Sequence, residues 1–216
     1  MNVVSDVFLA SLVMVNLALA GVSRLPGAIR LIALDGLLVG LLPFVLHGEH
    51  LAIALVNTAV KGLLLPAMLV YAMKKSNAVR ELEPLVGFGR SVAIVLAVTL
   101  AAVGATRALP PAERLASAIA FATIASGLFL IVARRKAITQ VIGFLLFENG
   151  ISVFSAAVAV DYGLVLELGV LLDVFALVFI LGIAIYEINR TFSSIDTDRL
   201  NRLGDTMYLH HGGTGR

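Results

Sequence analysis

The stretch FLLFENGISVF (144–154) is apolar except near its middle, where Glu148 and Asn149 stand side by side. Read outward, the apolar run extends over 138–160, about the length one helix needs to cross the hydrocarbon core of a bilayer. A charge at the centre of such a helix costs about 2.5–3.5 kcal/mol on insertion scales. A residue kept against that cost points to function or to a polar partner on another helix.

The rest of the chain has the same character. Its 216 residues are 60% hydrophobic and 14% charged, and the mean hydropathy is +1.01. A soluble domain carries about 25% charged residues, so this composition implies an all-α integral membrane protein. Apolar runs of this length also suit helices better than barrel strands. Cysteine is absent, which excludes disulfides and thiolate-held iron–sulfur or metal centres in this chain. The formal charge of +2 is too small to suggest a nucleic-acid surface.

Punctuation divides the chain into seven expected spans at 3–22, 28–46, 51–73, 91–109, 115–133, 138–160 and 164–187. The breaks fall at Arg24-Leu25-Pro26-Gly27, His47-Gly48-Glu49-His50, the polar segment 74–90, Pro110-Pro111, Arg134-Arg135-Lys136 and Asp161-Tyr162-Gly163. The first span lacks the basic start of a signal peptide and contains Asp6, so it reads as a retained helix. Residues 191–216 form a polar tail. Its Asp196, Asp198 and Asp205 lack the glycine and glutamate of a calcium loop, and His210-His211 makes a weak metal motif.

Charge bias sets an expected orientation. Arg24, Arg30, Lys74, Lys75, Arg80, Arg90, Arg134, Arg135, Lys136 and the arginines at the C-terminal end all fall on one side. Only Arg107 and Arg114 fall on the other. The positive-inside rule then places the N-terminus outside and the C-terminal tail in the cytoplasm.

Besides Asp6, Arg30, Arg107 and Glu187 near span ends, the expected spans hold five charged residues: Asp35, Lys61, Glu148, Glu167 and Asp173. Lys61, Glu148 and Asp173 are each about 15 Å deep at 1.5 Å per residue, on three different helices. Asp35 reads as nearer the cytoplasmic side and Glu167 as nearer the outer one. Asn57 and Thr58 share a helix face with Lys61, and Glu148, Ser152 and Ser155 make a polar stripe. Asp35 abuts Gly36 and Gly40, and Asp173 follows Gly169 by one turn, spacings that allow close helix approach. Pro66 would free a carbonyl one turn earlier and bend the third helix beside Lys61. A single Lys61–Glu148 pair could be packing glue. The further carboxylates exceed the positive charge available in the spans, and a proton relay accounts for them better.

Four segments carry a family resemblance: NTAVKGLLLPAMLVYAMKK (57–75), QVIGFLLFENGISVF (140–154), VLELGVLLDVFALVF (165–179) and SSIDTDRLNRL (193–203). They resemble hydrogenase-4 component E, a membrane subunit of group 4 nickel–iron hydrogenases and formate hydrogenlyase complexes. The resemblance runs from the third span onward. That family is similar in turn to complex I subunit K and the C-type subunit of Mrp antiporters, whose three helices correspond to 115–187 here. Subunit K has its key glutamate two residues after a glycine. Here Leu145 holds that place after Gly143, and Glu148 follows one turn later. Either Glu167 or Asp173 stands for the second glutamate.

The resemblance implies a non-catalytic subunit in a bacterial or archaeal cytoplasmic membrane, placed beside antiporter-like subunits. Iron–sulfur clusters and a nickel–iron centre would lie in partner subunits, with no cofactor in this chain. The implied role is a proton or ion path through Lys61, Glu148, Asp173, Glu167 and Asp35, supported by Asn57, Asn149 and Ser152. The alternatives are a connector without ion flux, an Mrp-type antiporter subunit, or a free-standing transporter. The last would carry inverted repeats, and the sequence has no strong internal repeat.

Overall fold

A computed structural model describes residues 3–47, 51–75, 85–158 and 172–182. The described residues outside short turns are helical. In sequence order the helices are α1 (Val3–Gly21), α2 (Leu25–His47), α3 (Leu51–Thr58), α4 (Leu65–Lys75), α5 (Phe88–Ala105), α6 (Pro111–Ala133) and α7 (Ala137–Val158). A shorter apolar helix, α8, covers Leu172–Gly182. A π-helical segment, Ala59–Leu64, joins α3 directly to α4.

Among the described residues six stretches are long and apolar enough to cross a membrane: Val3–Gly21, Leu25–Leu46, Ala54–Lys74, Phe88–Ala108, Glu113–Ala133 and Ala137–Ala156. In hydrocarbon no water satisfies the backbone, so a continuous helix is the stable form of such a segment. Polarity is distributed accordingly. Large apolar side chains such as Val132, Leu63, Leu100 and Phe175 face outward, while Asp35, Lys61, Glu148 and Asp173 are buried. A soluble protein does the reverse. Several hydroxyls are satisfied within their own helices, as where Thr99 donates to the Val95 carbonyl at 2.8 Å and Ser126 to that of Ala122 at 2.6 Å.

Three span starts differ from the sequence expectation, and proline explains two of them. The second helix starts at Leu25 rather than 28, because Pro26 is tolerated in a first turn where its missing N–H has no partner to lose. The expected span 115–133 likewise starts at Pro111, with Pro110 as the N-cap. The expected span 91–109 starts at Phe88 and ends its α-helical part at Ala105, followed by a 3-10 turn at Thr106–Ala108. Only Leu172–Gly182 of the expected span 164–187 is described. Glu167, Gly169, the break at 161–163, the segment 76–84 and the tail 191–216 lie outside the described residues.

The most extensive packing among the described elements joins α6 to α7. Glycines set that distance. A Cβ added at Gly143 would lie 2.7 Å from the Ile131 nitrogen, and one at Gly150 2.6 Å from that of Ile124. Backbone meets backbone there, the small-residue contact that stands in for the hydrophobic effect inside a bilayer. Helix α2 approaches the α3–π segment in the same way. A Cβ on Gly40 would lie 2.6 Å from the Thr58 Cα, and one on Gly36 would strike the Lys61 carbonyl.

A buried ionic layer as the candidate functional site

Lys61 owes its position to Pro66. Without a backbone N–H, Pro66 cannot bond the Gly62 carbonyl, and its ring crowds that group. The chain widens into a π turn just before it, where the Leu65 N–H bonds the Val60 carbonyl. The expected bend at Pro66 thus takes the form of a π segment, a feature frequent at functional sites. Lys61 lies inside this segment and is buried.

Three groups receive the ammonium. Lys61 Nζ pairs with Glu148 Oε1 of α7, donates to Ser152 Oγ at 3.1 Å, and lies 3.6 Å from Asp173 Oδ1 of α8. Ser152 in turn donates to the Glu148 carbonyl at 3.2 Å. One residue along α7, Asn149 Nδ2 donates to Asp35 Oδ2 of α2 at 2.8 Å. Glu148 and Asn149 point to two different neighbours, so one short stretch of α7 links the Lys61 cluster to α2.

Asp35, read from the sequence as nearer the cytoplasmic side, contacts Asn149 beside Glu148. Gly36 and Gly40, read beforehand as a close-approach pair, are where α2 meets Lys61 and Thr58. Asn57 is half-buried and takes part in none of these contacts among the described residues. The π segment interrupts the α-helical phase that would align it with Lys61.

Among the described residues one ammonium thus pairs with two carboxylates, Glu148 and Asp173, while a third, Asp35, accepts from the neighbouring Asn149. Among the described residues, Asp35 Oδ1 and Glu148 Oε2 are buried without a hydrogen-bond donor, and the Thr58 hydroxyl oxygen is buried without a partner. Such groups are costly in an apolar interior unless they take up a proton or reach water. Among the described residues no three His, Cys, Asp or Glu side chains gather to hold a metal ion.

Two further polar features escaped the sequence reading. Asn16 of α1 donates to Thr123 of α6 at 2.8 Å, and both are buried. An asparagine within an apolar span was the available signal. Arg134, read as one of a basic loop trio, is 3% exposed. It ends α6 in an extended conformation, donates from Nη2 to the Ala20 carbonyl of α1 at 3.0 Å, and lies over the Phe88 ring at 5.1 Å.

The fold and this layer define a class: a helical bundle with six helices able to cross a membrane among the described residues, and with buried charges inside it. Among known proteins the chain is similar to the uncharacterized protein Rv0085 of Mycobacterium tuberculosis, 29% identical over 215 residues, 94% of this chain and 97% of that protein. It matches no family model and no solved structure.

Proposed function

We propose that the chain is a membrane-arm subunit of an energy-converting hydrogenase or formate hydrogenlyase type of complex, and that its buried ionic layer forms one stage of a lateral proton path. The observation that carries this reading is the grouping of Lys61 with Glu148 and Asp173, extended by Asn149 to Asp35. A lone structural ion pair needs one carboxylate. Here three carboxylates and one ammonium leave acceptor oxygens over, and a proton transferred between them changes which one the lysine neutralises. The sequence resemblance to hydrogenase-4 component E supplies the type of complex, with antiporter-like subunits as partners and the redox centres in other chains.

In this reading the chain spans a bacterial or archaeal cytoplasmic membrane seven times, α8 belonging to the seventh span. Its N-terminus is outside and its tail cytoplasmic. A reporter fused after Arg216 then behaves as cytoplasmic, and an exported reporter overturns the orientation.

The functional test is Glu148→Gln, which keeps size and hydrogen bonding but removes titration. Assembly is measured by co-purification with partner subunits, and coupling by proton uptake into vesicles during hydrogen or formate turnover. The proposal expects normal assembly with most of the uptake lost. Normal assembly with undiminished uptake would make the layer packing glue in a connector subunit. Failure to co-purify with any nickel–iron or antiporter-like subunit removes the hydrogenase assignment.

A further inference from the structure

A guanidinium carries five N–H donors and no acceptor. The side chain of Arg134 uses Nη2 on the Ala20 carbonyl and its planar face on Phe88. Its Nη1 is buried and has no hydrogen-bond partner among the described residues. No carboxylate pairs with Arg134 among the described residues, unlike Lys61. Burial pushes this guanidinium below its usual pKa by desolvation, yet an arginine keeps its charge at physiological pH. A buried cation with one free edge lacks a counter-charge.

The space beside it has a fitting shape. Leu19, Ala28, Leu130, Arg134, Thr139 and Ile142 line a cavity of about 10 Å³, the room that one oxygen atom requires. Arg134 and Thr139 are its polar lining. Because Arg134 reaches the last turn of α1, the cavity lies at the bundle end that also carries Arg24, Arg90 and Arg135, all three exposed. Basic pockets between membrane helices at the headgroup level are suited to anionic lipid phosphates. A phosphate oxygen also makes a stronger partner for a guanidinium than water does.

The geometry points to a lipid site in which Arg134 Nη1 binds a phosphate oxygen of an anionic phospholipid, seated between α1, α2, α6 and α7. The exposed arginines hold the headgroup by charge, and the cavity fixes one oxygen against Arg134.

The experiment uses the full chain, purified in detergent and stripped of lipid. Phosphatidylglycerol, phosphatidylcholine and inorganic phosphate are added separately, and bound lipid is read by native mass spectrometry beside the thermal midpoint. The expected result is one retained phosphatidylglycerol, bound about tenfold more weakly by Arg134→Gln, as loss of a charge-assisted hydrogen bond implies. Ala28→Val fills the cavity while leaving the Arg134 contacts to Ala20 and Phe88. It gives the same loss, and decides the matter if Arg134→Gln does not fold. Arg107→Gln, at an exposed position near the C-terminus of α5, binds as wild type. Equal phosphatidylglycerol binding by wild type and the first two variants overturns the site. So does an equal loss in Arg107→Gln, which would show diffuse charge attraction. Stabilisation by inorganic phosphate without retained lipid overturns the assignment to a lipid.

Discussion

Among the described residues two cations are buried, and they are held differently. Lys61 lies in the middle of a stretch able to span a membrane and is met by two carboxylates and a serine hydroxyl. Arg134 lies in the turn between α6 and α7 and is met by a backbone carbonyl and an aromatic ring. Depth accounts for the difference. Far from water an ammonium needs an opposite charge, because a neutral acceptor offsets too little of its lost hydration. At a helix end, a C-terminal carbonyl with its share of the helix dipole can help hold a cation. A lysine surrounded by carboxylates has alternative partners. An arginine on a carbonyl and a ring has one geometry, so the first arrangement suits charge movement and the second suits fixing helix ends.

The comparison breaks most readily at Lys61. Lys61→Met leaves Glu148 and Asp173 buried without their cation, and the expected loss is about 3–5 kcal/mol of bundle stability. The double variant Lys61→Met/Glu148→Leu should regain much of it, since apolar replacement of both partners removes the stranded charge. Unfolding in detergent followed by circular dichroism measures both. A double variant no more stable than the single one would show that the two residues are not energetically coupled.

Arg134→Ala tests the other side. It removes a charge-assisted hydrogen bond and a cation–π contact, for an expected loss of about 2 kcal/mol. The same unfolding assay should rank it below Lys61→Met. The reverse order would mean that the span-end cation, not the central one, holds the bundle together.

Two glycines sharpen the role of packing. Gly36→Ala would drive a methyl against the Lys61 carbonyl, and forcing α2 away is expected to cost about 1–3 kcal/mol. It should also weaken the Asp35–Asn149 contact, visible as faster hydrogen exchange of the Asn149 side-chain amide. Gly104, near the end of α5, has no neighbour within 4 Å of an added Cβ. Gly104→Ala should therefore be neutral or stabilise by about 0.5 kcal/mol through helix propensity. A loss there comparable to that of Gly36→Ala would indicate that α5 packs on something beyond the described residues.

The sequence by itself determined most of the described helices. Hydropathy is a local property, and a long apolar segment in lipid must close its own hydrogen bonds, so breaks near Arg24, Pro110 and Arg134–Lys136 were legible. The charged residues stood out for the same reason, and Pro66 marked the place of irregular backbone beside Lys61. Tertiary structure decided the pairing. Lys61 and Glu148 are far apart in the chain, as are Asp35 and Asn149. Which helix faces which depends on glycine contacts between segments, and no single-helix periodicity encodes that. The π segment shifts the phase of Lys61 away from Asn57, and the fold brings Asp35 beside Asn149. Arg134 looked like one of three loop cations until α1 ended beside it. A side chain's burial depends on its neighbours, and only the folded bundle supplies them.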